Sequence, residues 1–150
     1  MKQHLATVFK SVFIGISLLL GTNSCDEEYD SVIPYVPVNM NINPTSYIEL
    51  NIPGGYVYFK NAGYGGIIVF QDMAGSENTF FAFDAACTYE VSSLVRIVPD
   101  GIGTGTATCP VCKSQYILFG GSGSPVKGPA IEPLRQYRTS YAAGRINVRN

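Results

Sequence analysis

The sequence predicts an all-β domain, a small barrel or sandwich, and three observations carry that expectation. Short runs rich in β-branched and aromatic residues recur at a spacing of about eight to twelve residues between turn signals. No segment repeats its apolar residues with a helical period. The chain of 150 residues is 46% hydrophobic, with ten Tyr and eight Phe, enough to bury a core in one domain of ordinary length.

The chain begins with elements outside that domain. Lys2 and Lys10 bracket a charged start, and Val12 to Leu20 is a nine-residue apolar run, VFIGISLLL, closed by the small and polar residues Gly21 to Ser24. A bilayer core needs about 20 apolar residues, so this run reads as a secretory signal and not as a membrane-spanning helix. Cys25 follows at once, where a lipoprotein signal places its acylated cysteine; Thr22 stands three residues before it, where such signals usually carry Leu. Residues 1–24 are therefore expected to be a lipoprotein signal peptide, with Cys25 as the lipidation site and a membrane as the partner through that anchor. The sequence DEEYD at 26 to 30 is a solvated acidic cluster. It resembles the short acidic signal that some two-membrane bacteria place after the lipidated cysteine to send a protein to the outer face of the outer membrane. Residues 25–45 read as a tether, because Pro34, Pro37 and Pro44 discourage central strands, although Val36 to Ile42 could pair at an edge.

Residues 46–150 carry the β texture. YIELNI, YVYF, GIIVFQD and TFFAFD come first, each closed by a turn signal or, in the last case, by a cysteine. LVRIV, SQYILF, YRTSY and RINV follow, separated by Pro99-Asp100-Gly101, Gly120-Gly121 and Ala143-Gly144. Charge excludes a nucleic-acid partner. Lys2 and Lys10 take two of the ten Lys and Arg, so residues 26–150 hold eight against eleven Asp and Glu, net −3, with no basic run to track a phosphate backbone.

Three of the four cysteines lie between Cys87 and Cys112, as C-x-Y at 87 to 89 and C-P-V-C at 109 to 112. Cys87 ends the strand TFFAFDAA, and Cys109 opens a turn before SQYILF, so both loops should project from one end of the sheet. A C-x-x-C alone is a weak signal, shared by zinc, redox and disulfide sites. The wider order is more specific. CTY, CPVCKSQYIL, GGSGSPVKGPAIEPLRQY at 120 to 137 and TSYAAGRINV at 139 to 148 resemble the Rieske iron–sulfur fold, in which C-x-H and C-x-x-H loops are followed by a Gly-rich turn and a G-P-A-x-x-P-L segment. The resemblance covers residues 46 to 149, and GPAIEPL at 128 to 134 is its most specific piece.

That resemblance implies a small all-β barrel with two cysteine loops at one end, and a [2Fe-2S] centre in which two cysteines hold one iron and two histidines the other. This chain departs from the pattern at both histidine places. Tyr89 stands at the first and Cys112 at the second, and the single histidine, His4, lies in the signal. The expected reading is a domain without a conventional cluster and with no cofactor, acting as a binding or structural module. The alternative is an electron-transfer or oxidoreductase component with a non-standard iron–sulfur or zinc site on Cys87, Cys109 and Cys112, completed by an oxygen from Tyr89, Asp84 or Glu90.

A disulfide competes with the metal, because thiols outside the cytoplasm are not kept reduced. Joining Cys87 to Cys109 or Cys112 closes a loop worth about 3.5 kcal/mol, against about 2 for a ring within C-P-V-C. Cys87 with Cys109 is the expected pair, since the resemblance places both on one iron; Cys87 with Cys112 is the alternative. A redox role for C-P-V-C alone is disfavoured, because nothing helical follows it. Without histidine, no nucleophile, base and orienting group can be assembled, and no catalytic residue is expected.

Overall fold

The structure, a computed structural model, describes residues 31–73 and 79–150, which contain ten short strands and no α-helix. The signal, Cys25, the acidic cluster and the turn at 74 to 76 lie outside the described residues. The strands are β1 Asn39–Ile42, β2 Tyr56–Phe59, β3 Ile67–Gln71, β4 Phe80–Asp84, β5 Val98–Pro99, β6 Thr106–Thr108, β7 Gln115–Ile117, β8 Pro125–Lys127, β9 Gln136–Ala142 and β10 Arg145–Arg149. They form a six-stranded sheet in the order β1-β10-β9-β4-β3-β2 and a four-stranded sheet in the order β5-β6-β7-β8, with all pairings antiparallel.

The period of two along a strand distributes side chains between two cores. In β3, Ile67 and Val69 join Ala82, Tyr137, Ile146 and Val148 on one side of the larger sheet. Ile68 and Phe70 face the other way, toward Phe83, Tyr116, Leu118, Cys87 and Cys109. Being covered on both faces, β3 reads as a continuous apolar run and not as an alternating one. The second core is the one that matters for the cysteines, since it lies between the two sheets and ends at the thiols.

Two stretches differ from the sequence expectation. YIELNI forms no strand; Pro44–Ser46 and Ile48–Asn51 are short 3₁₀ turns. The Asn43 side chain caps the first by accepting from Thr45 N, and Asn51 Nδ2 donates to Pro44 O and Tyr47 O, so local side-chain bonds outcompete a ladder there. LVRIV contributes only an isolated Ala86–Arg96 bridge and the start of β5. Strands β6 and β8, three residues each, carried no sequence signal. The proline-spaced segment is docked on the domain from Ile33 onward: Ile33 is fully buried, and β1 pairs with β10 at the sheet edge.

Strand polarity locates the ends of the molecule. β4 runs toward the cysteines, and β9 begins beside its last residues, with Phe83 opposite Gln136. β10 runs back toward the same end, and β1 starts there, with Asn39 opposite Arg149. The 3₁₀ turns and the β9–β10 hairpin tip lie at the opposite end.

Candidate functional site

The first site loop leaves β4 through Asp84, a fully buried carboxylate with both oxygens engaged. Oδ2 accepts from Tyr64 N at 2.7 Å and Tyr137 Oη at 2.8 Å, and Oδ1 accepts from Gly65 N and Ala86 N, both at 2.9 Å. These bonds fix the chain just ahead of Cys87. Burial, together with the negative Asp84 beside it, pushes the Tyr137 phenol well above its ordinary value, so Tyr137 is a committed donor. Beyond Cys87 the loop folds back, with Val91 N on Cys87 O at 2.9 Å and Cys87 N on Val95 O at 3.1 Å.

The second loop is the hairpin turn from β6 to β7. Cys109 N donates to Ser114 O at 2.8 Å and Lys113 N to Cys109 O at 3.1 Å, with Lys113 at φ 63°. The 128 to 134 segment lies directly against this turn. A Cβ on Gly128, which has φ +90°, would stand 2.5 Å from Ser114 Cα, so only glycine allows the approach. We expect Gly128→Ala to cost about 3 kcal/mol in urea denaturation, from backbone strain and this collision together, and to loosen the cysteine turn.

These two loops bring the sulfurs of Cys87, Cys109 and Cys112 within 4.8 Å of one another, and among the described residues no Asp or Glu joins them. Cys87 and Cys109 are fully buried, and Cys112 is partly exposed. All three are free thiols, with Cys87 Sγ 3.5 Å from Cys112 Sγ.

Hydroxyl groups surround the triad. Thr88 Oγ1 donates to Glu132 O at 2.8 Å, which makes Tyr116 Oη the donor in its 3.0 Å contact with Thr88. The Tyr116 oxygen is then left to accept from the Cys87 thiol at 3.4 Å. Ser114 Oγ takes the Ala130 N–H at 3.0 Å and the Cys112 thiol at 3.1 Å, and its own proton is available to a Cys112 thiolate. Thr88, Ser114 and Tyr116 were not singled out by the sequence expectation. Ser114 and Tyr116 stand two positions apart in SQYILF, the spacing that puts side chains on one side of a strand, and that signal could have paired them.

The thiols differ in acidity. Burial drives Cys109 up to about 11 against the hydrogen bonds it receives from the backbone of Cys112 and Val111. Burial also raises Cys112, but bonds from the Ser114 hydroxyl and backbone and from the neighbouring thiols outweigh it and hold Cys112 below the ordinary thiol value. Near pH 8 the thiolate fraction therefore resides on Cys112 before Cys109. In the reduced protein, iodoacetamide followed by peptide mapping should label Cys112 well ahead of Cys109, and the gap should close as the pH approaches 11.

Neither carboxylate candidate joins the triad. Asp84 has no oxygen to offer a metal, Glu90 is half-buried and does not join the sulfurs, and Tyr89 is 56% exposed. The donor set does not fit a cluster with two histidine ligands, because no imidazole is present among the described residues. Spacing argues the same way. Ligands of opposite irons are separated by both metals and their bridging sulfides, whereas these three sulfurs crowd one point. Thiolates sharing one tetrahedral ion at about 2.3 Å lie about 3.8 Å apart, against 3.5 Å between Cys87 and Cys112 and no more than 4.8 Å across the group.

No protein-family model matches the chain, and no curated protein matches it in sequence. Solved structures do. The cyanobacterial plasma membrane Rieske protein PetC3 from Synechocystis PCC 6803 is 20% identical, with a TM-score of 0.53 over 77% of this chain and 100% of that one. The ferredoxin of carbazole 1,9a-dioxygenase from Nocardioides aromaticivorans IC177 is 16% identical, with a TM-score of 0.50 over 77% and 98%. The chain thus has a Rieske-like all-β fold in which three cysteines and no histidine meet at the tips of the two loops.

Proposed function

We propose that the chain is an exported lipoprotein, acylated at Cys25 and held on the outer membrane, whose Rieske-like domain serves as a binding or structural module with its two site loops tied by a disulfide. The observation that carries this reading is the donor set itself: three thiols gathered at one point with no imidazole beside them. In an exported protein two of them would be joined by oxidation. The contact of 3.5 Å between Cys87 and Cys112 supports that pairing, which leaves Cys109 as a buried, protonated and unreactive thiol. Joining Cys87 to Cys109, also within 4.8 Å, remains the other form of the same bridge. Counting thiols in the denatured mature protein tests the reading: one reactive thiol in residues 26 to 150 is expected, and three would contradict it.

A second reading rests on the same crowding. With all three thiols reduced, the triad could bind one thiophilic ion such as zinc, with Ser114 Oγ at 3.1 Å from Cys112 and Tyr116 Oη at 3.4 Å from Cys87 as the oxygens beside the sulfurs and Asp84 unable to take part. Stoichiometric zinc retained through chelator dialysis would favour it over the disulfide.

A further inference from the structure

We infer that the thiol end of the domain rests against the lipid surface, so that the cysteine loops face the membrane and not the bulk solvent. The inference depends on the anchor at Cys25 proposed above. It follows from where the anchored segment joins the fold.

Ile33 is fully buried, and its carbonyl accepts from Arg135 Nη1 at 2.7 Å. The Arg135 guanidinium sits 5.3 Å from the centre of the Tyr35 ring, and the Arg135 carbonyl accepts from Asp84 N at 2.8 Å. Asp84 is the last residue of β4, three positions before Cys87. The docking point is therefore at the cysteine end, as is the start of β1. Seven residues separate Cys25 from Ile33, so the eight Cα–Cα steps form a leash of at most about 28 Å.

The surface at that end suits a lipid interface. Leu94 is 85% exposed, Ile131 84%, Val111 58% and Tyr89 56%, and all four belong to the segments that frame the thiols. Ile131 is flanked by Ala130 and Glu132, which bond Ser114 and Thr88 respectively. Tyr35 and Val32, on the segment that leads to the anchor, are exposed as well. Isolated apolar tips of this kind, with a tyrosine among them, favour shallow insertion between headgroups over charge-driven adsorption. The opposite end also exposes an apolar side chain, Ile48, at 74%. Apolarity alone does not choose between the ends; the position of the leash does.

The chain contains no tryptophan, so single introduced indoles report cleanly. The lipidated protein, reconstituted in phosphatidylcholine vesicles, would carry Leu94→Trp, Ile131→Trp or Ile48→Trp in turn. Blue-shifted emission and quenching by brominated acyl chains are expected for the first two, several-fold stronger than for Ile48→Trp. Equal quenching at all three positions, or stronger quenching at position 48, would overturn the orientation. Mass measurement of Cys25 and release of a Cys25→Ser variant from membranes separate the two readings. An acylated chain with water-exposed indoles at 94 and 131 sinks the orientation alone, whereas an unacylated chain sinks the anchor and the orientation together.

Discussion

Replacing Asp84 with Ala is expected to cost about 4 kcal/mol or more and to open the first cysteine loop to reagents. The carboxylate is fully buried and accepts from the backbone N–H groups of Tyr64, Gly65 and Ala86 and from the Tyr137 hydroxyl. Truncation leaves all four donors facing a cavity, and each unsatisfied buried group costs about 1–3 kcal/mol, with incomplete additivity. Asp84→Asn should fall between wild type and Ala, because its amide NH₂ must face N–H groups that can only donate. Tyr137→Phe removes a single donor and is expected to cost about 1–2 kcal/mol. Urea midpoints give the ranking. Alkylation of Cys87 in the reduced protein gives the functional consequence, since the bond from Ala86 to Asp84 positions the chain just before it. An Asp84→Ala protein as stable as wild type would mean that the carboxylate does not organise this end of the sheet.

The second large effect concerns the bridge. With Cys87 joined to Cys112, the oxidised Cys112→Ser protein should be about 3.5 kcal/mol less stable than the oxidised parent, the loss expected when a loop of this length is no longer closed in the unfolded chain. Adding a reductant should lower the parent to the level of the variant and leave the variant unchanged. Cys109→Ser should keep its bridge and cost about 1 kcal/mol, the price of a small change in a packed interior. If the pair is instead Cys87 with Cys109, the two variants exchange behaviour. Equal small losses in both, insensitive to reductant, would show that the loops are not tied by a disulfide.

Much of this molecule is legible in its sequence because strands and turns announce themselves locally. YVYF, the IIVFQ core of GIIVFQD and RINV appear as β2, β3 and β10, and the two cysteine loops sit at the same end of the sheet. The failures share a cause. In YIELNI the apolar residues look like a strand, yet Pro44 and the amides of Asn43 and Asn51 reward 3₁₀ turns, and no local pattern reveals that balance. β6 and β8 are too short to show a period, and pairing across the smaller sheet creates them. At the site, the cysteines could be read as a group from their spacing. The fate of Asp84 could not, because its four donors come from positions 64, 65, 86 and 137, which only the folded chain brings together.

The most direct test is elemental analysis of the mature protein, purified anaerobically with its three domain cysteines intact, together with its visible absorption spectrum. The account predicts no stoichiometric iron and no charge-transfer bands. Two irons per chain with visible bands that bleach on reduction would contradict it, and would show that a binuclear centre forms on this fold without a single imidazole.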